Sequence, residues 1–143
     1  MTLFQMTANN FTIDPPGLAI DEWHKAMINI HACFTIITRD QKTFFEEEVC
    51  IVELWNALQF WINAKPKLPI FIYESMDFEE ENILRFQCLD SKTWGIYSPW
   101  QQTQDPINIP LEDLTAEVSK FLQETQDNIK RELDVELRTL KPI

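Results

Sequence analysis

The length, composition and charge of the chain limit what it can be. Its 143 residues suit one domain, and 45% hydrophobic with 12% aromatic residues indicate a folded protein rather than a disordered one. The formal net charge is −11 and the basic residues form no stripe, so nucleic acid and anionic membranes are repelled. A basic protein partner would be attracted.

Features that reveal cellular location point to the cytoplasm. The N-terminus has neither the charged start nor the apolar stretch of a signal peptide, and no apolar run approaches the ~20 residues that span a bilayer. Cys33, Cys50 and Cys88 are odd in number and lie in apolar stretches. This pattern predicts reduced, buried thiols rather than a disulfide framework.

The first half of the chain predicts three strands and then a helix. Strands are expected over 2–13, 24–38 and 43–50. The second has the clearest period of two, and its apolar face comprises Ala26, Ile28, Ile30, Ala32, Phe34 and Ile36. After residue 50 the period becomes helical, with a stripe of Ile51, Trp55, Leu58 and Ile62 and an end at Pro66. Phe60 falls outside this stripe, among polar residues, so it is either under a loop or exposed.

The second half predicts short strands and a long amphipathic helix. The strands cover 70–74, 83–89, 93–99 and 107–109, and the helix covers 110–139. Because the connections are short and no βαβ rhythm appears, we expect a single α+β domain over residues 1–143. Its antiparallel β-sheet would have about five to six strands, packed by one mid-chain helix and the long C-terminal helix.

Few catalytic or metal-binding patterns fit the sequence. With only Gly17 and Gly95, the chain cannot build a P-loop or a dinucleotide fingerprint. His24 and His31 stand seven apart on a predicted strand, which is a poor spacing for a shared metal. We therefore predict no cofactor, no metal and no enzymatic activity. A small hydrolase using a Cys33–His31 pair remains the alternative.

The stretch ESMDFEEEN, residues 74–82, is the most unusual feature. It lacks the glycine and ligand spacing of a calcium loop, and its consecutive glutamates cannot all point into one pocket. Glu74 or Asp77 would serve a carboxylate-dependent hydrolase, but their spacing alone does not specify one. Two further interpretations stay open: a solvated acidic loop, and a surface that binds a partner.

A second acidic run favours the partner surface. From Asp40 to Glu81 there are ten acidic residues against three lysines, and aromatic and Met side chains are mixed among them. Carboxylates around apolar anchors are suited to steer and hold a basic protein. Trp100 is a further candidate anchor, although core burial is also compatible with its position. The predicted partner-binding residues are Glu46, Glu47, Glu48, Glu74, Asp77, Phe78, Glu79, Glu80, Glu81 and Trp100.

Four motifs occur in an order that resembles a known group of small proteins. They are E-L-W-x-x-L-x-x-W from Glu53, Y-E-S-M-D-x-E-E from Tyr73, I-L-x-F from Ile83 and W-x-I-x-S-x-W-Q from Trp94. With the closing helix, they are similar to immunity proteins of bacterial polymorphic toxin systems, including the WapI-like ones, over roughly residues 20 to 135. The resemblance implies a cytoplasmic antitoxin that binds a cognate toxin domain. A self-associating adaptor, using Phe60 and Trp100, is another alternative, and the sequence is compatible with a homodimer.

Overall fold

A computed structural model describes residues 4–38, 41–74, 84–90, 92–98 and 107–140, with the backbone alone for residues 41–45 and 47. The elements in these ranges follow one another as β1 (Phe4–Ile13), α1 (Trp23–Asn29), β2 (Ile30–Thr38), β3 (Gln41–Cys50), α2 (Ile51–Ile62), β4 (Phe71–Tyr73), β5 (Leu84–Cys88), β6 (Thr93–Tyr97), β7 (Ile107–Pro110), α3 (Leu111–Leu133) and a 3₁₀ helix (Leu137–Thr139).

The strands form two antiparallel sheets with the orders β1-β2-β3 and β4-β5-β6-β7. The predicted α+β class, the antiparallel pairing and the long C-terminal helix are confirmed. The strand count differs from the expected five to six, because the described residues hold seven strands divided between two sheets. In the chain, α2 separates the two groups of strands, and it contacts β2 of one sheet and β4 of the other. It therefore joins the sheets through packing rather than through backbone pairing.

The predicted strand over 24–38 is correct only from Ile30 onward. Residues Trp23–Asn29 form the helix α1, so the expectation of a single mid-chain helix was incomplete. Seven residues are too few to separate the two periods, and the segment also carries a helical stripe. Trp23, for example, packs edge-to-face on Trp55 of α2 with ring centroids 6.0 Å apart. Ile28, expected on the buried strand face, is 46% exposed because the helix turns it outward.

The core lies between the sheets and the helices. Ala32, Phe34 and Ile36 of β2 are buried as their alternation predicts. Phe34 meets Phe121 of α3 edge-to-face at 5.5 Å. The indole Nε1 of Trp55 donates to the backbone oxygen of Leu122 at 2.8 Å, which fixes α2 against α3. These apolar and polar contacts hold α2 as the central element of the fold.

The last helix is shorter than the predicted 110–139. It ends at Leu133 because Asp134 adopts a left-handed conformation with φ of 56°, which short polar residues tolerate. The N–H of Asp134 donates to the carbonyl oxygen of Lys130 at 3.0 Å and closes the last turn. None of the helices in the described ranges combines the length and the apolar character needed to span a membrane.

Candidate functional site

One face of α2 carries a large exposed aromatic side chain. Phe60 is 81% exposed. Exposure was one of the two outcomes expected from its position outside the apolar stripe of α2. Residues 53, 56, 57 and 60 recur at helical spacing, so they occupy one side of α2. That side has a carboxylate, Glu53, at the beginning of the helix and Phe60 near its end. It is therefore acidic at one end and aromatic at the other.

The neighbouring strand β4 repeats this arrangement. Phe71 and Tyr73 point into the core, while Ile70 and Ile72 are 48% and 44% exposed. Glu74 follows and is also exposed. Alternation along an extended chain places every second side chain on the outer side. The outer side of this segment therefore carries Ile70 and Ile72, followed by the carboxylate of Glu74.

The two rows border a shared concavity, which we call the apolar groove. It has a volume of about 340 Å³ and is lined by Asn56, Ala57, Phe60, Trp61, Pro69, Ile70, Phe71 and Ile72. Its floor is rigid because Trp61 packs edge-to-face on Phe71, Phe86 and Trp94 with ring centroids 5.5 to 6.1 Å apart. An exposed aromatic beside a rigid apolar floor is a common arrangement at protein interfaces.

Two hydrogen bonds fix the direction of β4 relative to α2. Near the end of α2, the indole Nε1 of Trp61 donates to the carbonyl oxygen of Pro69 at 2.7 Å. Near its beginning, the hydroxyl of Tyr73 donates to Oε1 of Glu53 at 3.0 Å. The strand therefore runs back along the helix, and Glu74 lies toward the N-terminal end of α2. We call Glu53 and Glu74 the acidic end of the surface.

The structure locates three of the predicted partner-binding side chains. Glu48 and Glu74 are exposed, and Glu48 precedes α2 by only three residues. Glu46 is half-buried on β3, where it pairs with Phe34 of β2. The remaining predicted side chains lie outside the described residues; they are those of Glu47, Asp77, Phe78, Glu79, Glu80, Glu81 and Trp100.

Ile70, Ile72 and Glu53 were not among the predicted site residues. The signal for the isoleucines was present in IFIYE, since four consecutive apolar residues in a strand must place two of them outward when one face is solvated. Glu53 lies outside the predicted stripe of α2, but its contact with Tyr73, twenty residues away, could not be deduced from helical spacing alone.

The residues considered for catalysis have ordinary surroundings. His31 and Cys33 both lie on β2 and are half-buried, and Cys33 Sγ accepts a hydrogen bond from the amide of Asn10 at 3.6 Å. All three cysteines are free, but Cys88 is exposed at the end of β5 rather than buried as expected. In the described part of the chain, no three His, Cys, Asp or Glu side chains come together to hold a metal ion.

A family model covers most of the chain. The family described as "Domain of unknown function (DUF7878)" matches residues 4–131. The chain belongs to this family. Neither a curated protein nor a solved structure matches it. The DUF7878 match contains both sheets, α2 and nearly all of α3, so the apolar groove and the acidic end both lie within the family domain.

Proposed function

We propose that this DUF7878 protein is a cytoplasmic immunity protein that binds a cognate bacterial toxin domain and neutralises it, without cofactor or catalysis. The observation that carries the proposal is an exposed apolar groove bordered at one end by two carboxylates. Phe60, Ile70 and Ile72 supply the apolar part, and Glu53 and Glu74 adjoin it. We expect the carboxylates and the apolar groove to contribute to binding in different ways.

The carboxylates would select and steer a basic partner. The net charge of −11 attracts a positively charged toxin cleft, and the acidic end orients it during the encounter. The groove would then determine the lifetime of the complex, because buried aromatic anchors act mainly on dissociation. A standard interface covers about 800 Å² on each partner. The groove would form its centre, and the exposed carboxylate of Glu74 would lie at its rim.

The resemblance to immunity proteins supports the same surface. Glu53 is the first residue of E-L-W-x-x-L-x-x-W, and Tyr73 is the first residue of Y-E-S-M-D-x-E-E. The hydrogen bond of 3.0 Å between their side chains joins these two motifs. Two of the four motifs that carry the resemblance therefore meet beside the apolar groove. The free cysteines suit the reducing cytoplasm, where such an antitoxin would act.

The test is co-expression with the toxin domain encoded beside this gene. The wild-type protein should rescue growth and co-purify with the domain. Phe60→Ala and Glu74→Lys should each weaken the complex by about tenfold or more, since one removes the anchor and the other reverses a steering charge. Matched controls are Ile28→Ala on α1 and Glu132→Lys on α3, which change exposed residues of similar type elsewhere. Absence of both rescue and complex would refute the proposal.

Self-association through the same groove is the second candidate. The exposure of Phe60, Ile70 and Ile72 and the edge position of β4 in its sheet favour it. Salt separates the two candidates, because screening strengthens contact between two copies of an acidic chain and weakens contact with a basic toxin. Light scattering at increasing protein and salt concentrations measures the molecular mass, which doubles when a homodimer forms.

A further inference from the structure

A polar pocket lies on a different side of α2 from the apolar groove. We call it the α2–α3 pocket, and its volume is about 300 Å³. It is lined by Gln59, Ile62, Asn63, Lys65, Ser119, Leu122, Gln123, Gln126 and Arg138. Ile62 and Leu122 are buried and form its apolar floor. The volume is at the lower end of the range for small-molecule sites.

The charge of this pocket is opposite to that of the whole protein. Lys65 and Arg138 are the charged residues among its described lining side chains, and both are positive. The chain as a whole has a net charge of −11. Within the described ranges, neither cation forms an ion pair with a carboxylate. An anion entering the pocket would therefore meet two cations that no described acid neutralises.

The side chains around the cations are held in place by hydrogen bonds. Nε of Arg138 donates to Oε1 of the buried Gln126 at 3.1 Å, so the terminal amino groups of the guanidinium stay available for a ligand. Nε2 of Gln59 donates to Oδ1 of Asn63 at 3.2 Å. This bond orients the Asn63 side chain and leaves its amide nitrogen as a donor. Fixed donors lower the ordering cost of binding.

The backbone at the C-terminal end of α2 is hydrogen-bonded within its last turn. The backbone N–H groups of Asn63, Ala64 and Lys65 donate to the carbonyl oxygens of Gln59, Trp61 and Ile62 at 3.1 to 3.4 Å. The pocket lies at the negative end of the α2 dipole, which disfavours an anion. Binding of an anion therefore depends on Lys65 and Arg138 outweighing that repulsion.

We infer that the α2–α3 pocket binds a small molecule bearing a carboxylate or phosphate group. Arg138 would engage the oxyanion with its two terminal amino groups, Lys65 would add a second positive charge, and the amides would hydrogen-bond the remainder of the ligand. Because the pocket and the groove occupy different sides of α2, this inference does not depend on the proposed antitoxin function. A ligand here could be bound together with a protein on the groove.

The test is titration of the full-length, ¹⁵N-labelled protein with inorganic phosphate and, separately, with succinate. Saturable shifts of the side-chain amide signals of Gln59, Asn63 and Gln126 are expected with at least one anion, and the stronger one identifies the preferred oxyanion. Arg138→Gln and Lys65→Gln should each weaken binding by about tenfold, as expected for loss of a charge-assisted hydrogen bond.

Arg131→Gln and Lys67→Gln are the matched controls. Both remove one positive charge from exposed positions outside the pocket, so they change the net charge by the same amount. Equal losses in the control and pocket variants would show that the anions respond only to overall charge and would overturn the inference. Absence of saturable shifts with both anions would overturn it as well, whatever the outcome of the toxin experiment.

Discussion

Phe60 and Trp61 are neighbours in sequence with opposite surroundings. Phe60 is 81% exposed, whereas Trp61 is 2% exposed and contacts three aromatic rings of the second sheet. Trp61→Ala should therefore lower the free energy of unfolding by about 3–5 kcal/mol. Phe60→Ala should change it by no more than about 0.5 kcal/mol. Urea denaturation of the two variants measures both values. A large loss in Phe60→Ala would mean that this side chain is buried and unsuitable as an anchor.

The ring of Tyr97 occupies the space above Gly95. A Cβ at Gly95 would lie 3.0 Å from Cε2 and Oη of that ring, and the guanidinium of Arg85 covers the ring at 4.4 Å from its centroid. Gly95→Ala should displace Tyr97 from Arg85 and destabilise the fold by about 1 kcal/mol. In a Tyr97→Ala background the same substitution should cost nothing, because the obstructing ring is gone. Equal costs in both backgrounds would contradict this explanation.

At the scale of elements, the turn between β5 and β6 is held by a carboxylate. Oδ1 of Asp90 accepts hydrogen bonds from the backbone N–H groups of Lys92 and Thr93, each at 2.8 Å. These bonds favour the charged form and hold the pKa of Asp90 below its ordinary value of 3.8. The stability they contribute is therefore present above pH 3.8 and is lost as the pH falls through the lowered pKa.

The variant Asp90→Asn tests this linkage. It keeps an oxygen acceptor but cannot titrate, so its free energy of unfolding should fall less steeply than that of the wild type below about pH 4. Urea denaturation at several pH values from neutral to acidic gives both curves. Parallel curves would show that protonation of Asp90 does not contribute to acid destabilisation.

The contact between α3 and β1 joins elements from opposite ends of the chain. The N–H of Met6, on the edge strand β1, donates to Oε2 of Glu117 at 3.1 Å. Glu117→Ala leaves this partly buried donor without its acceptor and should destabilise the protein by about 1–3 kcal/mol. Hydrogen exchange at the Met6 amide should also accelerate. Glu117→Gln, which retains an acceptor oxygen, is the control and should restore much of the protection. Unchanged exchange in Glu117→Ala would contradict the assigned role.

The sequence predicted elements better where the hydrophobic period was long. α2, α3 and the strand from Ile30 to Thr38 were found because many turns or alternations repeat the same signal. α1 was missed because Ala26 and Ile30 fit both a period of two and a helical step of four. The division into two sheets was also missed. Pairing of strands depends on contacts between distant segments, such as α2 with β2 and β4, which local periodicity does not encode.

At the scale of the whole molecule, one part of the candidate site could be predicted from the local sequence, whereas the rest depends on contacts between distant segments. The exposure of Phe60 was foreseen as one of two outcomes, because it depends only on the helical period. The groove requires α2 and β4 to lie side by side, and the hydrogen bonds of Trp61 and Tyr73 that align them connect residues 8 and 20 positions apart. The acidic composition led us to predict a basic partner, which stays a prediction. Only the three-dimensional structure shows that the apolar groove lies next to the carboxylates of Glu53 and Glu74.

The net charge of −11 predicts that salt stabilises the fold. Folding brings carboxylates closer together than in the unfolded chain, and screening reduces the resulting repulsion. Raising NaCl from about 50 mM to about 500 mM should therefore raise Tm by a few degrees. A variant with Glu48, Glu74 and Glu132 all replaced by Gln is the control, since it removes three exposed negative charges. Its Tm should be higher at low salt and should rise less with added salt. An equal rise in both proteins would show that salt acts through something other than charge repulsion.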